Sequence, residues 1–137
     1  MSDCILCDIV AGKEPASLVY DDDTTLAIMD ISTLNRGQVV VFPKKHFPYM
    51  SDMDEATGMH LFRTAMRVCR GIRNSGIACD GINLFLADGE AANQEVFHVH
   101  ILIIPRLEND SMRITGDWTN PAREELDDLA SKIHNAL

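Results

Sequence analysis

The spacing of apolar residues along the chain shifts repeatedly, and each shift predicts an element. Cys4–Ala11 (CILCDIVA) reads as a short helix stopped by Gly12, with Pro15 just beyond. Two strand-like runs follow, Ser17–Tyr20 and Thr25–Met29, parted by the acidic turn Asp21-Asp22-Asp23. A third run, Gln38–Phe42, is rich in β-branched residues and stops at Pro43. From about Ser51 the period lengthens: Phe62, Ala65, Met66, Cys69 and Ile72 recur at three- and four-residue spacing, with Arg63, Arg67, Arg70 and Arg73 between them. That pattern predicts an amphipathic helix with a basic outer face, ending near Asn74-Ser75-Gly76. Ile82–Leu86 reads as a strand, Asp88–Gln94 as a loop of mostly small residues, and Val96–Ile104 as a strong strand closed by Pro105. A last helix follows Pro121, with Leu126, Leu129, Ile133 and Leu137 on its inner side. Several strands before one main helix, joined by hairpin-length links, predict an α+β fold. The expected architecture is an antiparallel meander sheet with one main central helix and short N- and C-terminal helices. A parallel βαβ arrangement needs more crossover helices than the chain supplies.

Composition narrows the partners more than the fold. The 137 residues show no repeat and no linker-like shift, so residues 1–137 read as one domain, long enough to bury a core without disulfides. A formal charge of −9 argues against a nucleic-acid polymer as partner, because most of the surface repels it. A small anion remains a possible ligand if amides and imidazoles hold it locally. No apolar run is long enough for a bilayer and the start lacks an export pattern, so the expected location is cytoplasmic, without membrane attachment. Four cysteines, at 4, 7, 69 and 79, are then expected as thiols or metal ligands. Cys69 falls on the apolar side of the long helix and reads as a small core residue.

The candidate chemistry concentrates in Val96–Pro105 (VFHVHILIIP). Side chains alternate along a strand, so His98, His100 and Leu102 share one face while Phe97, Val99, Ile101 and Ile103 point into the core. Two histidines on an otherwise apolar strand are costly to bury without partners. They are either a satisfied structural pair or a working site. The preceding loop, Gly89–Val96, sets backbone amides and a glutamine beside them, an arrangement able to cradle phosphate. At the other end, Cys4-x-x-Cys7 has the spacing for two thiolates on one zinc, and two further ligands are needed to close a tetrahedron. A redox role for that motif wants a preceding strand, and none is predicted.

Gln94–Pro105 resembles the signature of the histidine triad family, Gln-x-Val-x-His-x-His-x-His followed by apolar residues and Pro. Leu26–His46 (LAIMDISTLNRGQVVVFPKKH) resembles the same family's apolar-Asp-Ile-Ser segment and its Pro-Lys-x-His end. The resemblance runs in order from the cysteine pair to Pro105. It implies a nucleotide enzyme in which His100 attacks the α-phosphorus of a purine nucleotide, forming a nucleotidyl-histidine that water or another acceptor resolves. The resemblance also implies that a backbone carbonyl on the neighbouring strand fixes the tautomer of His100. By the same resemblance Asp30 binds ribose hydroxyls, Ile28 and Ile31 pack near the base, and Asn83 and Gln94 line the phosphate site. Zinc-containing members imply a structural site of Cys4, Cys7, His46 and His98, contributing stability and not catalysis. Family members are usually homodimers. His60 and His134 lack companion ligands and read as surface or packing residues.

The sequence also departs from the family pattern. Leu102 stands where the third histidine belongs and cannot donate a hydrogen bond. Glu95 replaces a common Ser or Thr, and Ala87 an amide side chain. Losing a general acid or charged donor removes about two to four orders of magnitude of rate. The resemblance therefore implies a slow hydrolase or transferase, or one restricted to substrates with good leaving groups. The alternatives are a nucleotide-binding module and a zinc-stabilised interaction protein.

Overall fold

A computed structural model describes residues 3–137. Helix α1 spans Ile5–Val10, and strands β1 (Leu18–Asp21), β2 (Thr25–Met29) and β3 (Val39–Pro43) follow. Helix α2 covers Glu55–Asn74, β4 covers Gly81–Phe85, β5 covers Ile101–Arg106, and α3 covers Arg123–His134. The five strands form one sheet in the order β1-β2-β3-β5-β4, with each neighbouring pair antiparallel. The first three make the expected meander. The chain then crosses one face as α2 and returns as the β4–β5 hairpin, which seats β5 beside β3 and leaves β4 at an edge. Among the described residues no helix is long and apolar enough to cross a membrane.

The central strand shows why the sheet is stable. Every residue of β3 is buried, because both faces are covered. Val39 and Val41 face α2 together with Ala27, Ile101 and Ile103, and meet Leu61, Ala65, Val68 and Ile72 of the helix. Val40 and Phe42 face the other way, where Leu26, Ile28 and Leu6 of α1 cover part of the sheet. The site occupies the remainder of that second face.

Helix α2 begins where Asp54 accepts from the Thr57 amide at 3.0 Å, a side-chain N-cap. Its buried stripe is Leu61, Thr64, Ala65, Val68 and Ile72. Phe62 and Met66, expected inside, are 52% and 50% exposed, so the inner face is rotated by about one residue from the expectation. Thr64 explains the shift: its hydroxyl meets that of Thr25 at 2.9 Å, a buried polar pair that hydropathy alone places outside. Cys69 does pack beside the core, and burial pushes its thiol up, consistent with an unreactive role.

Two other expectations are corrected. The run Val96–Ile104 is a strand only from Ile101, because residues before it bond to Phe47 and to one another and not to a ladder. α3 has the expected apolar stripe, but Leu126, Leu129, Ile133 and Leu137 all stay exposed, so the stripe is not an inner face among the described residues. Periodicity reports which side of a helix is apolar, not what covers it.

The β1–β2 turn is anchored to α2 through Asp22. Its carboxylate accepts from the Thr24 and Thr25 amides at 2.9 and 2.8 Å, from the Tyr20 hydroxyl at 2.8 Å, and meets His60 Nε2 at 2.8 Å. Partial burial raises its pKa, but the Thr25 amide, His60 and the other donors outweigh that and hold the group well below the usual carboxylate range. A depressed folded-state pKa means stability that is present above the unfolded value and lost as pH falls through the folded one. Asp22→Ala should cost about 1–3 kcal/mol at pH 7. In thermal melts the gap from wild type should narrow steadily as pH falls below about 4.

Candidate active site and metal centre

His98 lies at the junction of three parts of the chain. Its ring is fully buried. It stands edge-on to Phe42, with centroids 5.6 Å apart, and edge-on to His46 at 5.0 Å. Nε2 lies 2.7 Å from the Pro43 carbonyl, which can only accept, so Nε2 carries the proton and Nδ1 a lone pair. Burial holds this imidazole below its ordinary pKa, and the nearby His46 and His100 push the same way. The ring is thus neutral and its tautomer is assigned.

The lone pair of His98 Nδ1 points at a convergent set of donor atoms. Cys4 Sγ is 3.4 Å away, Cys7 Sγ 3.5 Å and His46 Nδ1 3.3 Å, and Cys7 Sγ lies 3.3 Å from His46 Nδ1. All four ligand atoms fall within 4.8 Å of one another. A zinc tetrahedron with Zn–N near 2.05 Å and Zn–S near 2.3 Å has N···N edges of about 3.3 Å and N···S edges of about 3.6 Å. Four of the six edges, at 3.3–3.5 Å, match those of such a tetrahedron, and the donor set suits zinc. The local sequence explains the convergence. Cys4 is the residue before α1 and Cys7 lies one turn in, so both sulfurs share a helix side. Pro43 ends β3 and turns the chain so that His46 meets them. An open cleft of about 630 Å³ runs beside the cluster, lined by Asp3, Ile5, Val96, Phe97 and the ligands Cys4, Cys7 and His46. Glu95 lines this cleft as well, on the metal side of the loop.

His100 is half-buried two residues further on. Its Nδ1 lies 2.7 Å from the backbone carbonyl of His98, so the carbonyl that meets it belongs to its own segment and not, as expected, to the neighbouring strand. A carbonyl can only accept, so Nδ1 is the protonated nitrogen and Nε2 holds an outward lone pair. Next along this face is Leu102, which pairs with Val40 on β3 and with Phe85 on β4 and packs beside Ile28 and Val40. The surface adjoining His100 is therefore apolar, without a donor at the position of the missing histidine. Ala87 is buried and equally unable to donate.

The remaining expected residues are spread over the same sheet. Ile28 is buried beneath α1, whereas Ile31 is fully exposed just after β2. Asp30 lies two positions beyond Ile28, its carboxylate accepting from the Ser32 amide at 3.0 Å and from Gln38 Nε2 at 2.6 Å. Asn83 pairs with Ile104, two steps down the sheet from the level of His100, or about 13 Å along the strand. Its side-chain oxygen accepts from Arg106 at 2.6 Å, and Arg106 is in turn clamped by Asp110 at 2.7 Å. That guanidinium holds the Asp110 carboxyl well below its usual range.

Gln94 is buried, and its amide is fully engaged within the loop. Oε1 accepts from the Gly89 amide at 2.8 Å, and Nε2 donates to the Pro48 and Val96 carbonyls at 2.8 and 3.2 Å. The loop also spends its Ala92, Asn93 and Gln94 amides on its own carbonyls. Gly89 and Asn93 take positive φ, at 97° and 64°, which tightens the turn. Gln94 therefore acts on the site by bracing this loop.

Sequence reasoning did not single out Gln38, which fixes the Asp30 carboxylate, or Asn35 and Asp110, which close the Arg106 network. Gln38 did leave a signal, as a buried polar residue leading a β-branched run. Asn35 and Asp110 gave none, because their partnership spans 75 residues.

These features define a small protein in which a cluster able to hold a metal ion lies beside one oriented histidine. A HIT domain family model matches residues 11–109, and the chain belongs to that family. An uncharacterised HIT-like protein of Borreliella burgdorferi is 35% identical over 136 residues, 97% of each chain. The adenylylsulfatase HINT3 of Arabidopsis thaliana is 32% identical over 111 residues, 81% of this chain and 56% of that protein. The adenosine 5'-monophosphoramidase HNT1 of Saccharomyces cerevisiae is 28% identical over 134 residues, 98% of this chain and 80% of that one. Among solved structures, a HIT family member from Bacillus subtilis superposes with a TM-score of 0.93 at 32% identity, covering 99% of this chain and 98% of that one. A zinc-bound histidine triad protein from Mycobacterium smegmatis gives 0.78 at 34% identity, with 98% of both covered.

Gln94→Leu should leave the Gly89 amide and the Pro48 carbonyl without their partners. Denaturant titration should show a loss of about 1–3 kcal/mol, with nucleotide affinity falling alongside as the loop loosens.

Proposed function

We propose that this chain is a nucleotidyl hydrolase or transferase acting at the α-phosphate of a purine nucleotide, with His100 as nucleophile. The observation that carries the reading is the 2.7 Å contact between His100 Nδ1 and the His98 carbonyl, which leaves Nε2 as the free lone pair. Neutral imidazole is nucleophilic near pH 7. His100 Nε2 would attack phosphorus as the bond to the leaving group breaks, and the leaving group departs with that electron pair. Water or another acceptor then displaces the histidine, releasing the nucleoside monophosphate or its new ester. One difficult displacement becomes two easier ones. Asp30, held by Gln38, would accept from ribose hydroxyls. Ile28 and Ile31 would flank the base, and Gln94 would support the phosphate side by bracing its loop; Asn83, held by Arg106 further along the sheet, is too far from His100 for the phosphate role that the resemblance implied. Two relatives, an adenylylsulfatase and an adenosine 5'-monophosphoramidase, support the reaction class.

Leu102 shapes the expected substrate. Without a donor there, the leaving group must depart unassisted, so anhydrides and activated phosphoramidates should react far faster than simple esters. The same residue favours a second reading, a binding module with little turnover. We further infer that Cys4, Cys7, His46 and His98 hold a structural zinc, which requires the reduced thiols of a cytoplasmic setting. The exposed Met59, Phe62 and Met66 on α2, with the uncovered stripe of α3, support a homodimer.

Turnover of a panel of adenosine and guanosine phosphoramidates, mixed anhydrides and dinucleoside polyphosphates should be measurable and ranked by leaving group. It should fall by about three orders of magnitude or more in His100→Ala. If wild type turns over nothing but a purine monophosphate at a hundred times its Kd adds about 2.7 kcal/mol of stability, the binding module is correct. Metal analysis of reduced protein should find about one zinc per chain.

A further inference from the structure

We propose that the cluster Cys4, Cys7, His46 and His98 governs the reactivity of His100 as well as the stability of the fold, with His98 as the positioning residue between them. The proposal rests on the reading of His100 as nucleophile. It starts from the backbone. The ladder of β5 begins at Ile101, so no strand pairing holds the His98 carbonyl that orients His100. The backbone bonds of this segment are His98 N to the Val96 carbonyl at 2.9 Å and Val99 N to the Phe47 carbonyl at 2.7 Å. The orientation of the carbonyl therefore follows that of the His98 residue as a whole.

The His98 ring is held on two sides. Nε2 donates to the Pro43 carbonyl, and Nδ1 faces the two sulfurs and His46. The second restraint is strong only when the cluster holds its cation. Without it, the His46 and His98 Nδ1 atoms face each other at 3.3 Å, a distance suited to two ligands of one ion. The exposed His46 can then turn away, and the Nδ1 side of His98 keeps only weak thiol contacts at 3.4 and 3.5 Å beside the Pro43 bond. The His98 carbonyl then gains freedom, and the His100 Nδ1–H bond that keeps Nε2 unprotonated weakens. Outer-shell contacts of this kind tune a site without touching substrate. The proposed nucleotide floor of Ile28 and Val40 meets the His98 ring only through the apolar cluster that includes Phe42 and takes no part in its hydrogen bonds, so binding should change much less than reactivity.

Two readouts decide the matter. In the zinc-loaded protein, ring 15N NMR of His100 should show a single tautomer with the proton on Nδ1. Single-turnover rates should report formation of the nucleotidyl-histidine. Removing zinc with a chelator should mix the two His100 tautomers and slow that step at least tenfold. Affinity for a purine monophosphate should stay within threefold, and adding zinc back should reverse both effects. The surface variant His46→Ala, which spares the buried ring, should show tautomer ratio and rate following zinc concentration in graded titration. That variant decides the question if stripped wild type unfolds. Zinc-independent His100 tautomers and rates, with metal loss verified, would overturn the proposal. A tautomer that follows zinc in a protein that turns over nothing would instead reject the nucleotidyl-transfer reading and leave the coupling standing.

Discussion

The buried imidazole of His98 carries more of this structure than any other side chain. One nitrogen is bonded to the end of β3, the other faces the sulfurs at α1 and the corner after Pro43, and its own carbonyl orients His100. Burying a polar ring completely is tolerated only if both nitrogens are satisfied. That requirement fixes where α1 docks, how the chain turns after β3, and which nitrogen of His100 is available for chemistry. A single constraint thus links the N-terminal helix, the central strand and the reactive group.

Around that joint the sheet divides its work between two faces. The face under α2 is a continuous apolar core, and the rigidity of β3 and β5 comes from it. The opposite face is only partly covered by α1, and there the row Ile28, Val40, Leu102 forms an apolar surface running from beneath His100 toward Asp30. A nucleoside suits such a surface, with an oriented imidazole at one end and a carboxylate, already held by Gln38, at the other. Leu102 extends the apolar row and removes a donor in the same stroke. On the proposed mechanism, attack by His100 would be preserved, while assistance to a poor leaving group would be lost.

Much of this was legible in the sequence, and the reasons for the misses are physical. The strands β2, β3 and β4 were read within a residue or so, because β-branched runs bounded by turn-formers have few alternatives. The Cys-x-x-Cys pair was legible from its spacing, whereas His46 and His98 came only from the family resemblance; the fold brings all four into one cluster. The start of β5 was misplaced because Phe97–His100 keeps strand-like alternation while bonding to Phe47 instead of a strand. The α2 stripe was rotated because buried Thr64 counts as polar by composition and only its pairing with Thr25 shows otherwise. Gln94 looked like an open amide, and only the three-dimensional loop shows that both its ends are engaged. The cover of α3 was unreadable because it depends on what lies outside one protomer.

The central claim is that His100 Nε2 becomes covalently bonded to the nucleotide. It is tested most directly by quenching the protein during turnover of an activated adenosine phosphoramidate and mapping the adduct by mass spectrometry under alkaline conditions, where a phosphohistidine-type bond survives. The account predicts a transient adenylyl group on the peptide containing His100, gained and lost at rates consistent with turnover. Turnover without any adduct on that peptide, or with the adduct on another residue, would contradict it.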